Sequence, residues 1–140
     1  MSEGSTPRSP RDRIGDLAYF PRMVEKVRLH AQGRLHADYV EKMGAGFDKA
    51  CCHFLGVEYG DLRALVEGGA DDGEALKWAL AEGLNRSEED QKIWSTFLEK
   101  RGWRDEVSDI LVERKIDLGL QDRDEVQTFF DFIDADEGRL

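Results

Sequence analysis

The 140-residue sequence predicts an all-α protein, a single compact bundle of about seven short helices. Two observations favour this fold class. Apolar residues recur with the period of a helix, and glycines follow successive apolar segments, where a left-handed glycine commonly ends a helix. No stretch alternates apolar and polar residues as a half-buried strand does. We expect residues 1–12 to form a flexible N-terminal tail and residues 13–140 to form a single helical domain.

The first predicted helix begins at Pro21 and ends before Gly33. Proline suits the first turn because its missing N–H has no partner there, and glycine suits the position just after a helix. A loop is expected over residues 34–46. The second helix then extends to Gly56, and its apolar residues share one face: Phe47, Cys51, Phe54 and Leu55.

Three further helices are predicted between residues 57 and 102. The first of them carries Leu62, Leu65 and Val66. The next begins with a capping box of Asp71 and Glu74 and ends at Gly83. The third is capped by Ser87 and ends at Gly102. Its expected buried stripe consists of Ile93, Trp94, Phe97 and Leu98.

Two last helices complete the prediction. Asp105 is expected to cap the sixth helix, and Asp122 with Glu125 is expected to cap the seventh. The apolar residues of the sixth are Val107, Ile110, Leu111 and Leu118, and those of the seventh are Val126, Phe129, Phe130 and Ile133. Helices of this length are marginal in isolation, so their apolar stripes have to pack against one another.

The net charge of the chain limits the classes of partner that it is expected to bind. A formal net charge of -10 argues against nucleic-acid binding, which needs cations to replace the counterions around phosphates. No segment has the apolar length of a membrane span or of a secretory signal, so we expect a cytoplasmic protein without a membrane partner. The adjacent cysteines Cys51 and Cys52 fit a reducing compartment, because they do not form a structural disulfide framework.

A line of cations is the most informative feature of the first helix. Arg22, Lys26 and His30 lie four residues apart, beside the apolar stripe. Like charges at this spacing repel one another, so an acidic group is expected opposite them. Two interpretations are open: ion pairs with the acidic body of the protein, or a pocket for a small anion.

Other polar groups offer weaker signals. Asp48 borders the apolar face of the second helix and is expected to face a pocket, whereas His53 points away. The glycines before this helix suggest either an anion site with Lys49 or merely a flexible helix entry. The cysteines are expected in the core, with thiol catalysis beside His30 as an alternative. No metal site is expected, and four acidic residues near the end are expected to form a solvated tail: Asp131, Asp134, Asp136 and Glu137.

Several motifs together resemble a known family. They are Arg8-Ser9-Pro10, the run from Phe20 to Arg28, Phe54-Leu55-Gly56-Val57 and Lys100-Arg101-Gly102-Trp103. The sequence resembles the bacterial domain-of-unknown-function family 5069 over about residues 7–135. The resemblance implies a small, helical, stand-alone bacterial protein and no particular reaction. The residues that match the family pattern are Arg22, Lys26, Arg28, Tyr39 and Asp48, and Glu25 stands where aspartate is expected.

Three functions are compatible with these residues. The preferred one is a binding module for a small carboxylate or phosphate metabolite, in which Arg22, Lys26 and His30 line the site, Tyr39 hydrogen-bonds and Asp48 orients a cation or hydroxyl. The alternative is a protein-binding adaptor anchored by an exposed aromatic residue such as Trp78. A second alternative is an enzyme with Asp48 or His30 as general base beside the same cations. No cofactor is expected.

Overall fold

The computed structural model describes residues 4–140, which form eight helices and one small sheet. The strands are β1 (Arg13–Ile14) and β2 (Leu17–Ala18). The helices are α1 (Phe20–Ala31), α2 (Ala37–Val40), α3 (Phe47–Leu55), α4 (Tyr59–Glu67), α5 (Asp72–Glu82), α6 (Glu88–Glu99), α7 (Ser108–Asp117) and α8 (Phe129–Asp136). The all-α prediction is confirmed. In the described part of the chain, no helix is both long and apolar enough to cross a membrane.

Helix α1 lies at the centre of the core. It packs against α4, which in turn contacts α3 and α5, while α7 packs against α8. The apolar side chains that α1 buries completely or nearly so are Phe20, Met23, Val24 and Val27. Burial of each such side chain contributes about 1.5–3 kcal/mol. This packing fixes α1 rigidly, so polar residues on its remaining face have defined positions.

The N-terminal segment before the predicted boundary at residue 12 contacts α1 and the loop that follows α1. Residues 1–3 of the predicted tail lie outside the described residues. Ser5 pairs with Leu35 in a parallel bridge, and the Arg8 N–H donates to Glu25 at 2.7 Å. Pro7 and Pro10 are fully buried. The segment therefore forms part of the packed surface against α1.

Two elements depart from the predicted list. A hairpin precedes α1, with Arg13 opposite Ala18 in antiparallel register. Its backbone is held from a distant helix, because Ser95 Oγ accepts a bond from the Ala18 N–H and donates to the Asp16 carbonyl. Helix α2 is a single turn inside the predicted loop, where His36 Nδ1 accepts from the Asp38 N–H. The expectation of no strand is corrected accordingly, whereas eight helices agree with the predicted bundle of about seven.

Helix α6 is rotated relative to the predicted stripe. Gln91, Ser95 and Leu98 face inward, whereas Ile93 and Phe97 are 63% and 53% exposed. The physical reason is the buried strand β2 of the hairpin, where the Ala18 N–H has the Ser95 hydroxyl as its partner. Of the remaining predicted stripe, Leu98 is buried and Trp94 stacks on Phe54 at a centroid distance of 4.7 Å.

Two helix starts are corrected and two are confirmed. The caps at Asp71 with Glu74 and at Ser87 are present. The predicted cap at Asp105 is wrong by two residues, because α7 starts at Ser108. The carboxylate of Asp105 instead accepts bonds from the N–H groups of Gly102 and Val107 and closes the preceding loop.

The predicted start of the last helix is also wrong. Asp122 and Glu125 lie in turns, and Glu125 pairs with Arg123. Helix α8 begins later, where Thr128 and Asp131 form a reciprocal capping box. The shift places Val126 before the helix, where its carbonyl accepts a bond from Lys115.

The corrected cap predicts a difference between two alanine variants. Thr128→Ala removes the oxygen that accepts from the Asp131 N–H, so we expect a loss of about 1 kcal/mol in the free energy of unfolding. Asp122→Ala is the matched control and should leave stability unchanged, because Asp122 is exposed outside the helix. Urea unfolding followed by circular dichroism measures both. Equal losses would contradict the assigned cap.

Candidate functional site

A groove of about 1270 Å³ opens between the N-terminal and C-terminal helices. Its floor is formed by Tyr19, Arg22 and Lys26 at the start of the chain's central helix. The walls come from α2 and the beginning of α3 on one side and from α7 and α8 on the other. The apolar side chains of the walls include Phe47, Ile110, Leu118, Phe129, Phe132 and Ile133. The volume is sufficient for a small organic molecule.

Aromatic rings build the inner wall. Phe47, at the first position of α3, packs edge-on against Tyr19, Phe129 and Phe130 at centroid distances of 5.6, 6.2 and 5.6 Å. Edge-to-face packing of this kind stabilises aromatic clusters beyond the burial of their area. The cluster fixes α3 and α8 relative to the floor. The wall is therefore preformed.

Arg22 forms an ion pair at the floor of the groove with a carboxylate of the protein itself, that of Glu137. Its two terminal nitrogens donate to the two oxygens of Glu137 at 2.8 and 2.7 Å, and Tyr39 OH donates to the same carboxylate at 2.7 Å. Both partners of the ion pair are nearly inaccessible to solvent, with side chains 5% and 4% exposed. Arg139 also contacts Glu137. The fork of arginine matches a carboxylate geometrically, and this match makes the pair strong.

Lys26 forms the second buried ion pair, with the carboxylate of Asp48. Its Nζ lies 2.8 Å from Asp48 Oδ1 and donates to Tyr19 OH at 3.2 Å. Tyr19 OH donates to Asp48 Oδ1 at 2.6 Å, and the Gly44 N–H donates to Asp48 Oδ2 at 2.9 Å. Asp48 is fully buried and accepts all three donors. An amine, a phenol and a carboxylate thus meet under the groove.

The two pairs differ in their electrostatics. Burial lowers the pKa of Lys26 below its ordinary value, although Asp48 opposes this shift. Burial, with Asp48 nearby, raises the pKa of Tyr19 well above its usual range. Burial also opposes ionisation of Glu137, but the bonds from Arg22 and Tyr39 hold its pKa below the ordinary value. The same environment raises the pKa of Tyr39 to about 12.

Tyr19 has an unusual backbone. It precedes α1 with φ 73° and ψ -33°, in a region that residues with a side chain rarely occupy. Such a conformation costs about 1–3 kcal/mol and persists where the surrounding contacts outweigh it. Here the contacts are the hydrogen bonds of its hydroxyl and the packing of its ring against Phe47 and Phe130. The fold retains Tyr19 in this position despite that cost.

The groove is less acidic than the protein as a whole. Five cationic and five carboxylate side chains line it, whereas the chain has a formal net charge of -10. Lys42 and Arg114, both exposed at its rim, have no carboxylate partner among the described residues. Their charges are therefore not compensated by an ion pair within the described part of the groove.

The predicted site residues are only partly brought together. Arg22, Lys26 and Tyr39 line the groove, and Asp48 lies directly behind Lys26. His30 lies apart from them, because its ring contacts Arg63 at 3.2 Å and it does not line the groove. The ion-pair interpretation describes both Arg22 and Lys26, and a cavity nevertheless lies beside them.

Two site residues escaped the sequence analysis. Glu137, expected in a solvated tail, is buried against Arg22, and Tyr19 was assigned no role. Asp131 and Asp134 of the same predicted tail pair with Arg11. The uncompensated cations of α1 were the signal for Glu137. No local sequence pattern predicts the role of Tyr19, because its position depends on a positive-φ backbone conformation that is usually occupied by glycine.

The cysteines, Trp78 and the glycines before α3, which the sequence analysis also considered, lie in the core or support it. Cys51 and Cys52 are buried in the core, and burial raises the pKa of both thiols, that of Cys52 to about 12. Trp78 packs against the core and is not an exposed anchor. No group of metal-ligating side chains occurs within residues 4–140. The glycine run before α3 provides the N–H that binds Asp48.

By its fold and its groove, the chain is a small helical protein with a preformed cavity above two buried ion pairs. The chain belongs to the family described as Domain of unknown function (DUF5069), whose model matches residues 4–139. The match confirms the resemblance seen in the sequence and covers nearly the whole chain. No curated protein and no solved structure matches the chain.

Proposed function

We propose that the groove is a binding site for a small organic acid with an apolar or aromatic body. The observation that carries this proposal is the combination of an aromatic wall with cations in one cavity of about 1270 Å³. Ligand sites of this kind are largely apolar and contain a few polar groups that orient the ligand. The apolar body would pack between Phe47, Ile110 and Phe129.

The anionic group of the ligand has specific partners. Arg22 already holds Glu137, so it serves mainly to fix the floor. The ammonium of Lys26 has three N–H groups, and its described partners are Asp48 and Tyr19. Its remaining N–H, together with Lys42 and Arg114 at the rim, supports a carboxylate or phosphate better than a neutral group. The proposed activity is binding, without a chemical step.

Two variants of α7 test the groove directly. We expect 2-naphthoate, an aromatic carboxylate, to bind saturably at one site in isothermal titration calorimetry. Ile110→Asp places a charge on the groove wall and should weaken binding at least about tenfold, or about 1.4 kcal/mol. Val112→Asp is the matched control, since Val112 is also solvent-exposed on the same helix, 55% against 42% for Ile110, but does not line the groove.

The neutral analogue 2-naphthalenemethanol tests the charge of the ligand. It should bind more weakly than 2-naphthoate, and Lys42→Gln should reduce this preference whereas Lys49→Gln should not, because Lys49 lies outside the groove. Absence of saturable naphthoate binding, or equal losses in the two α7 variants, would contradict the proposed site. Equal affinity for both probes would contradict the organic-acid class alone.

A further inference from the structure

The floor of the groove contains an amine held between a proton acceptor and a phenol. Lys26 Nζ lies 2.8 Å from Asp48 Oδ1 and 3.2 Å from Tyr19 OH, and Tyr19 OH lies 2.6 Å from the same carboxylate oxygen. We propose that Lys26 captures the carbonyl carbon of an oxo acid as an imine. The proposal rests on the proposed function, because the carbonyl compound has to reach the floor through the groove.

Lys26 differs from every other lysine of the chain. It is 5% exposed, and it is the one buried lysine among the seven. An amine attacks a carbonyl only in its neutral form, and burial favours that form, as the lowered pKa of Lys26 indicates. The other lysines are exposed or half-buried.

The neighbours of Lys26 supply a complete proton path. Asp48 takes one proton from the ammonium, and the freed lone pair forms a C–N bond while the carbonyl π electrons move to oxygen. Tyr19 relays a second proton from nitrogen to that oxygen, which yields a carbinolamine. Asp48 then returns its proton, the C–O bond breaks, water leaves and the nitrogen lone pair forms the C=N bond. The net products are a protonated imine and water, and no oxidant or reductant takes part.

The backbone of Tyr19 is an independent observation that favours a role for this residue. A side-chain-bearing residue at φ 73° is strained, and strain of this kind is concentrated at functional positions. The strained turn points the chain into α1 with the hydroxyl of Tyr19 between Lys26 and Asp48. A phenylalanine ring would pack equally well against Phe47 and Phe130. The hydroxyl itself is therefore the feature to test.

Reductive trapping tests the proposal in the full-length protein. The protein is incubated with phenylpyruvate, an aromatic oxo acid, and sodium cyanoborohydride, which converts an imine into a stable secondary amine. Tryptic digestion then places label on Lys26 in the peptide Met23–Arg28. We expect Lys26 to be labelled at least about tenfold faster than exposed Lys49, a part of the roughly 100-fold that positioned acid–base groups contribute.

Lys49 is a matched control inside the same molecule, so no variant is needed for the comparison. Accessibility alone predicts the opposite order, since Lys49 is exposed and Lys26 is buried. Labelling of Lys49 that equals or exceeds that of Lys26 overturns the proposal, even where 2-naphthoate binds. Labelling of Lys26 without naphthoate binding instead contradicts the organic-acid site and supports the carbonyl chemistry.

Tyr19→Phe tests the proton relay. We expect it to slow labelling of Lys26 about tenfold and to leave Lys49 unchanged, because it removes a proton-transfer group and keeps the ring. Binding of 2-naphthoate to this variant reports whether the groove is intact. Unchanged labelling of Lys26 in Tyr19→Phe would overturn the assignment of Tyr19 to the relay.

Discussion

Glu137→Gln is expected to destabilise the protein by about 3–5 kcal/mol, because it leaves the buried charge of Arg22 without its carboxylate. The substitution preserves shape and removes charge. Its amide nitrogen would also face a donor, since three side chains donate to Glu137: Arg22, Tyr39 and Arg139. Urea unfolding followed by tryptophan fluorescence at pH 7 measures the loss.

An exposed ion pair provides the control for this prediction. Glu67→Gln removes the partner of Arg63, and this pair should contribute no more than about 1 kcal/mol because both side chains are solvated. A loss in Glu137→Gln no larger than that in Glu67→Gln would contradict a buried structural pair.

The effect of Glu137→Gln should depend on pH. The pKa of Glu137 in the folded state lies below its unfolded value, which is about 4.3, so its ionised carboxylate stabilises the fold above that pH. This contribution is lost as pH falls through the lowered folded pKa. The difference between wild type and variant should therefore narrow below about pH 4. A difference independent of pH between neutrality and that range would contradict an ionised Glu137.

Asp48→Asn is the second substitution with a large expected effect, again about 3–5 kcal/mol. It removes the charge that compensates buried Lys26. It also fails to satisfy the donors around the carboxylate, because Asn has one acceptor oxygen whereas Gly44, Tyr19 and Lys26 approach both oxygens of Asp48. Asp38→Asn is the control, since Asp38 is 86% exposed and should tolerate the change.

The loss in Asp48→Asn should shrink as pH rises from 7 toward about 9.5. Burial lowers the pKa of Lys26, and Asp48 is the main group that raises it, so the variant lowers this pKa further. A lysine whose folded pKa is lowered releases its proton in the native state before the unfolded state does, and stability then rises with pH. Unfolding curves at several pH values test this sign. A deficit that widens with pH would contradict it.

Local patterns in the sequence predicted most of the helices. The capping boxes at Asp71 and Ser87 and the glycine stop at Gly56 involve residues within a few positions of each other, and the structure confirms them. Errors arose where a distant partner decided the outcome. Ser95 is buried because the hairpin needs its hydroxyl, and no local rule predicts that a serine rather than Phe97 faces inward.

The sequence alone determined that α1 presents Arg22 and Lys26 on one face and that these charges need acidic partners, because helical spacing is a local property. Tertiary structure decided which partners they have. Glu137 lies 115 residues from Arg22 in the chain and reaches it only because the fold brings the end of α8 next to α1. The groove above them exists for the same reason: its floor and far wall come from opposite ends of the sequence, and only packing brings them together.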